Sequence, residues 1–202
     1  SLQRTMFKLA AKAQLYILAT LAIGGSMLVL NLVKLHPSNL WLLLILCALA
    51  AIAQILKVEG TTRRSSYQIS WIVYGFAFVL LGVPETLLVI LVAHLADWLW
   101  HQYPWYVQSF NVASYAIVIG LSQMVFDWIT LNTSHNSAQL GAVVGFTLAG
   151  ILFTFLNHFM VGMVLFLARG ERFSQSGVFN LLTLMIDFIT FSMGATAAWI
   201  WL

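Results

Sequence analysis

Two histidines and an aspartate, His94, Asp97 and His101, stand at i, i+3 and i+7 in an apolar stretch. On an α-helix that spacing gathers all three within an arc of about 60°. Two imidazoles and a carboxylate on one face form a donor set for a transition metal, or a path for a proton. The pattern is weakly specific, because no second segment offers a fourth ligand at matching depth. A hydrogen-bonded polar helix end accounts for the trio first, so no metal is expected. A second set of polar groups follows: Asp127, Asn157, His158, Asn180 and Asp187. Asp127 lies near a segment end and reads as wetted. Asp187 and His158 lie deeper, where an ionisable group costs several kcal/mol unless paired, and where function is the default reading. Their bland reading is an internal polar cluster that holds helices together; the sharper one is a ligand pocket or proton path. A haem between His94 and His158 would need matching depth and a wide cleft, and no motif supports it, so no cofactor is expected.

The elements that must position these groups are hydrophobic almost end to end. Of 202 residues, 61% are apolar and only 7% charged. A soluble domain of this length would spread far more charge over its surface, so the lipid bilayer is the solvent and a soluble enzyme is excluded. The chain reads as one all-α transmembrane domain, 1–202, a polytopic helical bundle of about seven hydrophobic segments. Five runs are clear candidates to span about 30 Å of hydrocarbon: 13–33, 40–56, 106–129, 141–168 and 178–202. Two shorter runs, 69–81 and 85–100, are tilted, sit in a thinned bilayer, or form a re-entrant hairpin. Between them Gly82-Val83-Pro84-Glu85 makes a turn and a helix start, with Pro84 at a first helical position and Glu85 complementing the helix dipole. Gly141 with Gly145, and Gly24-Gly25-Ser26, are small patches that permit close helix approach.

Orientation follows from the basic residues. With the N-terminus inside, Arg4, Lys8, Lys12, Lys57, Arg63, Arg64, Arg169 and Arg172 are cytoplasmic, and only Lys34 faces out. The expected location is a bacterial inner membrane, multi-pass. The last apolar run ends at Leu202 without a terminating charge, which suggests a chain that continues into a further helix. The net charge of +3 suits anionic headgroups, not nucleic acid. Cys47 is the single cysteine, so no disulfide framework or CxxC site exists. Asn132-Thr133-Ser134 matches a glycosylation pattern that matters only in a secretory pathway. All lysines lie at ends or loops, which removes a retinal Schiff base. No Walker loop, HExxH or nucleophile elbow appears, and the chain is not expected to be an enzyme.

The stretch Ser70 to Pro84, with its end Val79-Leu80-Leu81-Gly82-Val83-Pro84, runs into a helix that carries Asp97. Tyr103-Pro104-Trp105-Tyr106, Phe110-Asn111, Phe155-Leu156-Asn157 and Ala168-Arg169-Gly170-Glu171-Arg172 follow. This order resembles the multi-pass N-terminal membrane domain found ahead of HD-GYP phosphodiesterase, GGDEF cyclase or histidine-kinase output domains in bacteria. Gly82, Pro84, Asp97, Pro104, Trp105, Phe110, Asn111 and Asn157 fit that pattern; His94, His101 and Gln102 depart from it. The resemblance implies a sensory or anchoring domain coupled to a cytoplasmic output module. A small or lipophilic ligand would bind in a cleft lined by Asp97, Asn111 and Asn157, with His158 and Asp187 as further candidates. Two alternatives are a substrate-binding membrane component of a vitamin-type transporter and an accessory subunit of a larger complex. Partners expected are the bilayer, a small-molecule or lipid ligand, and a second copy in a homodimer.

Overall fold

The structure, a computed structural model, describes residues 6, 9–56, 58–59, 66–133, 138–170, 172–173 and 177–202. Arg4, Lys8, Lys57, Arg63, Arg64, Ser134 and Glu171, to which roles were given above, lie outside the described residues. Seven helices account for nearly all of the described chain: α1 Ala11–Leu32, α2 Leu40–Ile55, α3 Ser70–Leu80, α4 Val83–His101, α5 Trp105–Leu131, α6 Ala138–Arg169 and α7 Leu181–Trp201. The fold is all-α. Its one extended pairing among the described residues is a two-rung antiparallel contact between β1, Val58–Glu59, and β2, Ser66–Tyr67.

Local chemistry fixes the helix starts. Asn39 caps α2 by accepting from the Leu42 amide at 3.0 Å, and Asn180 caps α7 by accepting from the Leu182 amide at 3.0 Å. Asn180 therefore closes a helix end instead of joining an interior polar group. Gly82, at φ 95°, makes the left-handed turn into α4 that a side chain would resist. Pro84 sits in the first positions, Glu85 in the first turn, and the Thr86 hydroxyl donates back to the Gly82 carbonyl at 2.6 Å. At the other end Gln102, at φ 54°, terminates α4 with its amide on the Trp98 carbonyl.

Five helices are long and apolar enough to cross a membrane: α1, α4, α5, α6 and α7. Five long and two short matches the expected count, but the membership differs. The 85–100 run is part of the 19-residue α4, because Val83-Pro84 and His101 extend the helix beyond its apolar stretch. The 40–56 run instead yields α2, only 16 residues, which starts at Leu40 behind the Asn39 cap and ends at Ile55. The shortest, α3, has 11 residues, about 16 Å. It can be short because it starts deep. Trp71 at its N-terminal end donates to the hydroxyl of Tyr115, which lies ten residues, about 15 Å, into α5.

The main core gathers Trp71, Tyr74, Leu87, Ile90, Tyr115, Phe153 and Phe191 from α3 to α7. Aromatic rings interlock there both edge-on and stacked: Trp71 meets Phe153 edge-on at 4.8 Å, and Phe153 stacks on Phe191 at 4.5 Å. Glycines let helix backbones touch. Gly75 of α3 lies against the Phe191 carbonyl of α7, and Gly194 of α7 lies against the Ile72 carbonyl of α3. Gly24 of α1 meets the Ala113 carbonyl of α5 in the same way. Gly141 and Gly145 face Thr133 and Phe126, so that GxxxG packs α6 on α5 within the chain. The outer surface is apolar, with Leu15, Val33, Trp41, Trp128 and Leu131 among many large exposed side chains. Such a surface is stable against hydrocarbon and not against water.

Candidate functional site

Where α4 meets α5, the polar groups join into a hydrogen-bond chain. His101 Nδ1 donates to Asp97 Oδ1 at 2.8 Å, as the i, i+4 spacing allows. Asp97 Oδ2 accepts from Gln108 Nε2 at 2.6 Å, and Gln108 Oε1 faces His94 Nδ1 at 2.6 Å. Since the amide nitrogen of Gln108 is committed to Asp97, its oxygen takes the His94 side, and His94 carries a proton on Nδ1. Asp97 and His94 are buried, while His101 is one-third exposed at the helix end and stacks on Tyr103 at 5.4 Å. The Trp98 indole pins the same turn by donating to the Tyr103 carbonyl at 2.9 Å. The trio expected on one face of α4 is thus linked, but through Gln108 of the next helix. The one signal of Gln108 in the sequence is an amide in the first turn of an apolar helix, three residues before Asn111.

The Gln108 amide stands between His94 and Asp97, and among the described residues no group of three His, Cys, Asp or Glu side chains is placed to hold a metal ion. An amide passes polarity along a hydrogen-bond chain but takes no part in proton hopping in its ordinary form. His101 and Asp97 therefore communicate directly, and His94 joins them as an oriented dipole.

A second polar pair lies between α6 and α7. His158 Nε2 donates to Asp187 Oδ2 at 2.9 Å, with both residues buried. The pair matches the interior polar contact expected of two deep ionisable groups in lipid. Between it and the first chain stand Trp71 and Tyr115. The indole donates to the Tyr115 hydroxyl at 2.8 Å, that hydroxyl donates onward to Gln68 at 3.3 Å, and the rings lie 6.0 Å from His158 and 5.4 Å from His94. Aromatic side chains fill the space a haem between His94 and His158 would need. Asp127 is exposed and accepts from Gln123 at 2.7 Å, four residues back on its own helix.

Two cavities lie beside these groups. One of about 320 Å³ is bounded by α1, α4 and α5, with Leu21, Gly25, Leu28, Leu95, Trp98 and Trp105 as its apolar wall and His94, Gln108 and Ser109 as its polar margin. Gly25 fronts open space: a Cβ there would meet nothing within 4 Å. The other, of about 310 Å³, lies among the ends of α1, α5 and α6 and includes Asn111 and Arg169. Neither of these cavities is lined by Asp97, Asn111 and Asn157 together. Asn111 lines the second cavity, Asp97 sits in the hydrogen-bond chain behind the first, and Asn157 is buried on α6 and lines neither. Helix rotation sets this, since each of the three comes from a different helix.

Fold and surface together define a multi-pass membrane protein, all-helical, with a polar chain and apolar cavities between its helices. No protein-family model, curated protein or solved structure matches the chain.

Proposed function

We propose that the chain is a membrane-embedded sensory domain whose lipophilic ligand occupies the cavity between α1, α4 and α5. One observation carries the reading. The polar margin of that cavity, His94 and Gln108, is also the inner end of the hydrogen-bond chain that reaches the part-exposed His101 at the end of α4. A ligand that takes a hydrogen bond from this margin changes the orientation of Gln108, and Gln108 holds Asp97, which holds His101. Occupancy deep in the bundle is thereby read at its surface, a bias between two side-chain arrangements of the kind that ligand switching needs. The excess of Lys and Arg on one set of loops supports a bacterial inner membrane with the N-terminus in the cytoplasm, so that His101 faces the compartment where an output module would sit.

The test uses purified protein in detergent, titrated with neutral amphiphiles such as long-chain alcohols and quinones. A ligand is expected to raise the thermal midpoint and to shift the His94 and His101 ring resonances. Gly25→Leu, which fills the cavity from a position with free space, should abolish both effects while leaving the fold intact. Gln108→Leu should leave the His94 shift and lose that of His101. If no such amphiphile moves either histidine, or His94 responds and His101 does not in the unmodified protein, the sensory reading fails.

A further inference from the structure

The second cavity has a different construction. Tyr16 of α1 reaches across to α6, where its hydroxyl donates to the Met160 carbonyl at 3.4 Å, and its ring lies 5.9 Å from Phe110 of α5. This bridge stands one residue before Val161, the cavity's far end on α6. From there the cavity runs along α6 from Val161 through Val164 and Leu165 to Arg169, eight residues or about 12 Å. Ile17 and Leu9 of the α1 side, and Phe110 of α5, supply the remaining apolar wall. Two polar groups break it: the Asn111 amide on the α5 side, and Arg169 in the last turn of α6. Trp105 and Tyr106 stand at the same end of the bundle as Arg169, where amphipathic rings mark the headgroup level. An apolar slot about 12 Å deep, with a guanidinium at its mouth and one amide within, matches an acyl chain, a phosphate and an ester carbonyl in that order.

We propose that this cavity is a binding site for one anionic phospholipid, its phosphate paired with Arg169, its ester region near Asn111 and an acyl chain lying against Val161, Val164 and Phe110. Arg169 suits the phosphate because its planar fork donates to two oxygens at once. The chain slot supplies affinity that inorganic phosphate lacks, and the guanidinium supplies a selectivity that a zwitterionic lipid, whose phosphate carries its own ammonium, does not satisfy. This site is separate from the cavity that faces His94 and does not depend on the sensory reading.

Native mass spectrometry of the purified protein from mixed micelles tests it, with phosphatidylglycerol, phosphatidylcholine and inorganic phosphate as probes. At equal mole fraction the protein should retain one phosphatidylglycerol at least five-fold over phosphatidylcholine, and millimolar inorganic phosphate should not displace it. Arg169→Gln, at an exposed position, should bring the two lipids to parity. Val164→Phe should lose both, and Asn111→Leu should weaken both alike. Equal retention of the two lipids by the unmodified protein overturns the proposal, as does an undiminished preference in Arg169→Gln. Displacement by inorganic phosphate alone overturns the lipid as the source of the headgroup.

Discussion

Single residues matter here because the bilayer offers no water to repair a lost partner. Asp187 and His158 are the sharpest case. Asp187→Asn keeps an oxygen for the His158 Nε2 proton and should change stability little. Asp187→Leu leaves that donor unmet and should cost about 1–2 kcal/mol, the range for hydrogen bonds between membrane helices, read by denaturation in mixed micelles. Tyr103, in the turn between α4 and α5, gives a pH prediction. Partial burial, and then the charge of Asp97, raise its phenol above the ordinary 10.0. The unfolded phenol ionises first, so its contribution to stability is fully present below pH 10 and is lost as pH rises through the folded value. The phenolate absorbance missing from Tyr103→Phe should therefore appear above pH 10 in the folded protein, and Asp97→Asn should bring it part of the way back. A titration at the ordinary value would show that Tyr103 stands away from Asp97.

At the scale of elements, close backbone approach rather than side-chain interdigitation decides how α3 seats on α7 and α1 on α5. A methyl group on Gly75, Gly194 or Gly24 would drive into a facing carbonyl, whereas one on Gly25 would enter empty space. Alanine at each of the first three should cost about 1–3 kcal/mol, the usual penalty of overpacking, and alanine at Gly25 should be near neutral. Thermal midpoints of the four variants in one detergent check the order. If Gly25→Ala is as damaging as Gly24→Ala, the α1–α5 contact is rotated from the one described. A short helix that begins deep, ends at a glycine turn and is fixed by two glycine contacts is a rigid insert on which α4 can be oriented.

For the whole molecule, the prediction concerns which loops share a side. With Cys47 replaced by serine, cysteines introduced at His36 and Asn132 should react with a membrane-impermeant maleimide in intact cells. Cysteines at Tyr103 and Arg172 should react only after lysis. The reverse pattern would invert the proposed orientation, and a mixed pattern would break the bundle's alternation. What the amino-acid sequence by itself determined was the solvent and the secondary structure. A chain this apolar must bury its backbone hydrogen bonds in helices, and Gly82 and Pro84 mark where one of them begins, whereas the caps at Asn39 and Asn180 emerged only from the fold. Tertiary structure alone decided which polar groups meet. Helices that are apolar all round carry no stripe to reveal their rotation, so spacing within α4 grouped His94, Asp97 and His101 but left Gln108 out of view. The same blindness placed Asp97, Asn111 and Asn157 in one cleft in expectation, while in the fold Asn111 lines a cavity that the other two do not.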